Sequence, residues 1–311
     1  MKRFTSGILF IFFWLIAVSL YGKSGWQQLV RNSVTVYCHR EDIKNGQKVM
    51  LIVENALPRI EHDLGLINTG KITVVIVSSE KEFNAVTGGQ IPEWGVGAAD
   101  PIRGIIFLKS PRFAKPETNL NQVVTHELTH VVLGMILKGK PVSRWFDEGL
   151  AQYESGEGSM WETILLARSV FAGEIIWLND INNVLDFRRH KAALAYLESR
   201  TAVDYLVEHY GRDVLARIIQ HLKANSGMDK ALVLSIGINF QDFQNDWYRT
   251  LKHKYRWYVF MDFPVVLSAL FVILFLTAFF VTRRRMRKKK EIWEKEVLHE
   301  YGDFEKDQTL Y

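Results

Sequence analysis

Apolar and polar positions follow two rhythms along this chain, and the change between them divides it. Early on, "SVTVYC" alternates with the period of a half-buried strand, and "KITVVIVSS" is a β-branched run suited to a buried strand. "GVGAAD" and "GIIFLKS" read as two further strands joined by a turn at Pro101 to Gly104. Among them lie two helical stretches. One runs from Lys48 to Leu64, with Val49, Ile52, Val53, Ala56 and Ile60 at helical spacing and Pro58 expected to kink or divide it. The other, "SEKEFNAVTG", starts behind Ser79 and stops at Gly88.

From Asn119 the rhythm is helical. Helices are expected at Asn119–Leu137, Arg144–Tyr153, Met160–Val170, Lys191–Tyr210, Arg212–Ala224, Met228–Ile236 and Gln241–Tyr255. There is no internal repeat and no low-complexity tract. A small mixed sheet with helices, followed by an all-helical half, is an α+β arrangement.

The two ends break this pattern. "MKRFTSGILFIFFWLIAVSLYG" has a basic start at Lys2 and Arg3, an apolar stretch from Ile8 to Leu20, and small residues at Ala17 and Ser19. That is the build of a signal peptide over residues 1–22, or of an uncleaved anchor. Near the other end, Phe263 to Val281 contains no charged residue and is long enough to span hydrocarbon as a helix. Tyr255, Trp257 and Tyr258 precede it where aromatic rings favour the membrane interface, and "RRRMRKKK" follows from Arg283 to Lys290. The positive-inside rule keeps that cluster cytoplasmic. The expected order is therefore a signal, an exported sheet subdomain over 30–138, a helical subdomain over 139–256, a transmembrane helix over 263–282 and a cytoplasmic tail over 283–311. The protein is expected in the cell membrane as a single-pass chain with its bulk outside the cytoplasm.

Charge then removes one class of partner. The formal net charge is +5, but seven positives sit in Arg283–Lys290, and without them the balance is two negative. The basic pI reflects a membrane flank, so no nucleic-acid partner is expected. The single cysteine, Cys38, excludes an intrachain disulfide and sits in a strand-like run, which favours a buried structural thiol. No Asn-x-Ser/Thr acceptor occurs. Nothing in the sequence speaks to oligomeric state.

The candidate chemistry lies in "NQVVTHELTHVVLGM". Residues four apart share a helix face, so His126 and His130 can offer two imidazoles to one metal ion, with Glu127 beside them to reach a bound water. Val124, Leu128, Val131 and Met135 form the opposite, apolar stripe. The stretch is too short and too polar at its flanks for a membrane span, which sets aside intramembrane proteolysis. In "SRWFDEGLAQYESG", after a break at Gly139 and Pro141, Glu148 supplies a third ligand. Two histidines and a later glutamate, with one position left for water, is the ligand set of catalytic zinc. Asp147 can cap or orient. His39, His62, His190, His209, His221, His253 and His299 have no ligand spacing.

"HELTH" followed by "RWFDEGLAQY" resembles the gluzincin clan of zinc metallopeptidases and, more narrowly, the peptidase MA-like domain family of bacterial envelope proteins. The resemblance extends through "EWGVGAADPIRGIIFLKSP" and the helical half, roughly Val34 to Leu251. It implies a zincin-like fold, zinc held by His126, His130 and Glu148, Glu127 as catalytic base, and a protein or peptide substrate. The spacer from His130 to Glu148 is shorter than in thermolysin-like enzymes. Gln152 stands where some relatives carry an acidic residue one turn after the glutamate. Tyr196 in "LAYLESR" is the candidate donor to the oxyanion, with Arg200 of similar standing. An extended substrate is expected to pair along an edge strand, supplied by "GIIFLKS" or "GVGAAD". The rival reading is a non-catalytic, peptidase-like binding or sensor domain tethered to the membrane. An intact Glu127 argues against it, since a scaffold needs no base.

Overall fold

The alternation in Val34–His39 forms strand β2, with Val34, Val36 and Cys38 buried and the residues between them half-buried. Before it lies β1 (Trp26–Arg31), antiparallel to β2, which the sequence pattern did not announce. Adjacent glutamines break its alternation and most of its side chains are exposed, so it carries little hydrophobic signal. A subdomain expected to open at residue 30 would cut through this strand. The computed structural model describes residues 25–66, 68–89, 91, 95–113, 119–182, 187, 189–255 and 263–308. The expected signal segment, Trp257 and Tyr258 lie outside them.

A short 3-10 turn, Arg40–Asp42, leads into helix α1 (Ile43–Leu64), which starts five residues earlier than its apolar pattern implies. Asn45 and Gly46 look like turn residues in sequence. Gly46 is instead helical and buried, because an added Cβ would come within 3.0 Å of Cys38 Sγ and of Leu29 Cδ1. The expected break at Pro58 does not occur. Pro58 is on the exposed side of the helix, where water can serve the Glu54 carbonyl that loses its partner. Cys38 is fully buried, and burial, with the nearby Asp42 charge, pushes its thiol up to about 11.

The sheet continues with β3 (Ile72–Val77), helix α2 (Glu80–Thr87), β4 (Gly97–Asp100) and β5 (Ile105–Lys109). Ser79 caps α2 by accepting from the Glu82 N–H. The strand order is β1-β2-β3-β5-β4, parallel for β2, β3 and β5 and antiparallel at both margins. β5 is therefore interior, and of the two strands considered for substrate pairing it is β4 that lies at the margin of the sheet among the described residues.

Helix α3 (Leu120–Leu137) packs on α1, β4 and β5 and joins the sheet to the helical part: α4 (Arg144–Ser155), α5 (Met160–Ala172), α6 (Arg189–Tyr210), α7 (Val214–Lys223), α8 (Met228–Ile236) and α9 (Phe240–Tyr255). Trp145 of α4 stacks on Phe243 of α9 with ring centroids 5.5 Å apart, and both are fully buried. Among the described residues the fold is thus α+β, with five strands and ten helices, the tenth being α10 (Phe263–Gln308).

The chain divides into two compact units at Lys254 and Tyr255. The second contains α10, in which Val266–Lys295 is long and apolar enough to cross a membrane. The residues of the expected tail continue α10 without a break to Gln308.

Candidate active site

Asn119 starts α3 by accepting from the N–H groups of Asn121 and Gln122. The buried side of the helix is fixed by Val124, Leu128 and Val131. His126 and His130 consequently emerge together, with ring centroids 4.9 Å apart. Glu148 arrives from α4, which is anchored by the buried Trp145, Phe146 and Leu150. That helix lies unusually close to α6: a Cβ on Gly149 would sit 2.4 Å from the main-chain oxygen of Ser199. The glycine beside the glutamate is what permits the approach.

His126, His130 and Glu148 each offer a ligand atom, and these atoms lie within 4.8 Å of one another. Oε2 of Glu148 is 3.5 Å from Nε2 of His126 and 3.6 Å from Nε2 of His130. Ligands held tetrahedrally at about 2.0–2.1 Å from a first-row divalent ion stand about 3.4 Å apart, so the spacing suits such an ion. The other nitrogen of each ring is also engaged. Nδ1 of His130 is 2.6 Å from Oδ1 of Asp147, and Nδ1 of His126 is 2.8 Å from Oε1 of Glu157. A carboxylate on Nδ1 holds a hydrogen there and turns Nε2 inward, the atom a metal ion would take in place of the ring's second proton.

Glu157 was not anticipated. It lies past the end of α4 in a loop without periodicity, fixed at one side by the left-handed cap Gly156 and at the other by the Ser159–Glu162 capping box of α5. Ser155 Oγ donates to the same Glu157 oxygen at 2.9 Å, and Gln122 Nε2 donates to the Gly156 carbonyl at 3.2 Å. Asp147 and Glu157 thus brace the two rings through Nδ1. Gln152 is buried, and its carbonyl accepts from the Glu157 N–H.

Charge follows this geometry. Burial lowers the basicity of both histidines, but the surrounding carboxylates outweigh it: Glu148 and Glu157 push His126 up to about 10, and Asp147 with Glu148 raises His130 well above its usual range. Burial opposes ionisation of Glu148, yet its hydrogen bonds to His126 and His130, with the His130 and Arg144 charges, hold it well below the carboxylate range. Glu127 goes the other way. Its burial raises it more than the two histidines lower it.

β4 runs directly beside Glu127: a Cβ on Gly97 would lie 2.7 Å from its Cγ and from its Oε1. Tyr196 of α6 is half-buried and close enough for the charges of Glu148, Arg144 and Glu127 to act on its hydroxyl, which burial above all pushes up to about 12. It is therefore a neutral donor at ordinary pH. Arg200 packs over Gly158 and pairs with Asp204 at 3.6 Å. Among the described residues, no second group of three such ligands occurs; His39, His62 and His209 are engaged by Glu82, Asp63 and the Tyr205 carbonyl.

The model of the peptidase MA superfamily matches residues 53–253, which spans α1 to α9 and every side chain of this site. The chain belongs to the peptidase MA superfamily. No curated protein matches it. Family membership makes the chain peptidase-like, and the grouped His-His-Glu donors agree with the metal dependence typical of a peptidase MA domain.

Proposed function

We propose that this protein is a zinc-dependent peptidase of gluzincin type, with a zincin-like fold, anchored in the membrane and facing away from the cytoplasm. The carrying observation is the convergence of His126 Nε2, His130 Nε2 and one oxygen of Glu148, with Glu127 on the same helix beside them. His126, His130 and Glu148 would hold the ion. When bound, zinc acidifies a water and polarises the scissile carbonyl.

The chain's own residues do the rest. Glu127 takes the proton of the attacking water and hands it to the departing amine. Tyr196, kept protonated by burial, donates to the oxygen that gains charge on the scissile group. The outer edge of β4 can pair with an extended substrate backbone beside Glu127. Asp147 and Glu157 keep both rings in register.

In this reading the sheet subdomain runs from the start of β1 to residue 138, and 139–256 is the helical one. The segment 1–22 directs export, 263–282 spans the bilayer, and Arg283–Lys290 holds residues 283–311 on the cytoplasmic side. Only a short stretch separates Tyr255 from Phe263, so the substrates are membrane-proximal envelope proteins or peptides.

The test uses the full chain in detergent, with zinc content and digestion of a peptide library measured together. Glu127→Gln should keep stoichiometric zinc and native circular dichroism while losing cleavage by about 100- to 10,000-fold. Unchanged cleavage in that variant removes Glu127 as base. A wild-type protein that takes up zinc and cuts nothing would favour the binding or sensor reading.

A further inference from the structure

The two oxygens of Glu148 have different partners. Oε2 faces the imidazoles at 3.5 and 3.6 Å, whereas Oε1 is 2.9 Å from Nη2 of Arg144. Arg144 opens α4, one turn before Glu148, so both side chains lie on one face of that helix. Its own main-chain N–H donates to Oδ1 of Asn182 at 3.1 Å, which ties the start of the helix to the loop after α5. The Tyr196 hydroxyl on α6 lies near enough for the same guanidinium charge to act on it.

Donor counting gives this arrangement a direction. A guanidinium carries five N–H donors and no acceptor. In the contact with Glu148 the carboxylate oxygen must accept, and this occupies Oε1.

We propose that Arg144 is a positioning residue: by binding Oε1 it leaves Glu148 only Oε2 to give to a metal ion. The inference rests on the zinc peptidase reading above. A catalytic site must keep one position for water. A carboxylate with its second oxygen unoccupied is able to swing and bind through both, closing that position. A lysine would substitute only in part, because a compact ammonium lacks the rigid planar fork that fixes the direction of its contact with the carboxylate oxygen.

The full chain in detergent is compared with Arg144→Gln, Arg144→Lys and Tyr196→Phe. Two readouts need no substrate: zinc affinity by chelator competition, and the visible spectrum of the cobalt-loaded protein, whose bands weaken as coordination number rises. Arg144→Gln should bind zinc about 10- to 100-fold more weakly and give weaker cobalt bands. Arg144→Lys should shift the cobalt bands in the same direction with a smaller loss of affinity. Tyr196→Phe should leave both readouts at wild type. If Arg144→Gln does not fold, X-ray absorption on the zinc-loaded wild type reads the same claim: four nitrogen or oxygen scatterers at about 2.0–2.1 Å are expected, and a fifth from the second carboxylate oxygen overturns it. A wild-type protein without zinc overturns the peptidase reading and takes this inference with it. A zinc-loaded wild type whose affinity and cobalt bands are matched by Arg144→Gln overturns the inference alone.

Discussion

Nδ1 of His130 lies 2.6 Å from Oδ1 of Asp147, the residue immediately before Glu148. The brace of one candidate ligand and another ligand itself are thus neighbours in one turn of α4. Loss of such a brace leaves a ring free to rotate and to change tautomer. Asp147→Ala is expected to weaken zinc binding by about 10- to 100-fold without altering the circular dichroism. Glu157→Ala should act alike through His126. Chelator competition on the full chain measures both, and wild-type affinity in either variant would deny that side chain its bracing role.

Gly97 makes a second, separable prediction. A methyl group there would meet Oε1 and Cγ of Glu127 at 2.7 Å, so the carboxylate must move. The three metal-binding side chains would stay where they are. Gly97→Ala should therefore retain zinc while hydrolysis falls by on the order of 100-fold, the scale expected for an ångström of misplacement. Zinc content and turnover measured on one sample decide it; loss of both together would point to general damage.

Gly149 tests the packing that delivers Glu148. Alanine normally stabilises a helix interior over glycine by about 1 kcal/mol. Here the added methyl would stand 2.4 Å from the Ser199 carbonyl oxygen, a main-chain atom that cannot rotate aside. The sign should reverse, with a net loss of about 1–3 kcal/mol from overpacking. Thermal melts of Gly149→Ala read this directly, and a raised midpoint would contradict the close contact.

Glu198 sets a pH dependence away from the metal-binding group. It is fully buried on α6, and its carboxyl oxygens share one donor, the Ile176 N–H, at 3.1 and 3.2 Å. Burial, only partly offset by that hydrogen bond, pushes its pKa up to about 8 from an ordinary 4.5. Between those two values the folded chain holds a proton that the unfolded chain releases. Stability from this group is therefore greatest below the unfolded value and declines as pH rises toward 8. Glu198→Gln can still accept from Ile176 and should flatten that decline, with a gain on the order of a few kcal/mol at pH 8. Melting curves at pH 5 and pH 8 for both proteins provide the check, and parallel pH trends would exclude Glu198 as the source.

What could be read in advance was what is local in sequence. His126, Glu127 and His130 fall within one helical turn, and helix periodicity alone brings them together. Glu148 was legible from the residue type that such a pair lacks. Helix α8 was legible at both ends because Gly227 and Gly237 punctuate it. Glu157 was not, since its position depends on a loop held between two helix caps. Nor was the status of β5: alternation identifies a strand but carries no information about which neighbour covers its edge. β1 escaped for want of apolar residues, and the first turn of α1 because Gly46 reads as a turn until Cys38 and Leu29 are seen against it. Gly97 and Gly149 were visible as glycines, but the reason for each is an approach between distant segments.

Asp147, Glu148 and Gly149 stand in a row and meet three different neighbours: a ring of α3, the imidazole pair together with Arg144, and the backbone of α6. Successive helical residues point about 100° apart, so these three directions are satisfied at a single rotation of α4. Tolerance to length change is accordingly uneven. A residue gained or lost between Gly139 and Ser143 alters only a connector, whereas one gained between Arg144 and Gly149 would turn the triplet away from all its neighbours at once. The run Arg144–Gly149 therefore has to be kept as a unit, while the connector ahead of it does not.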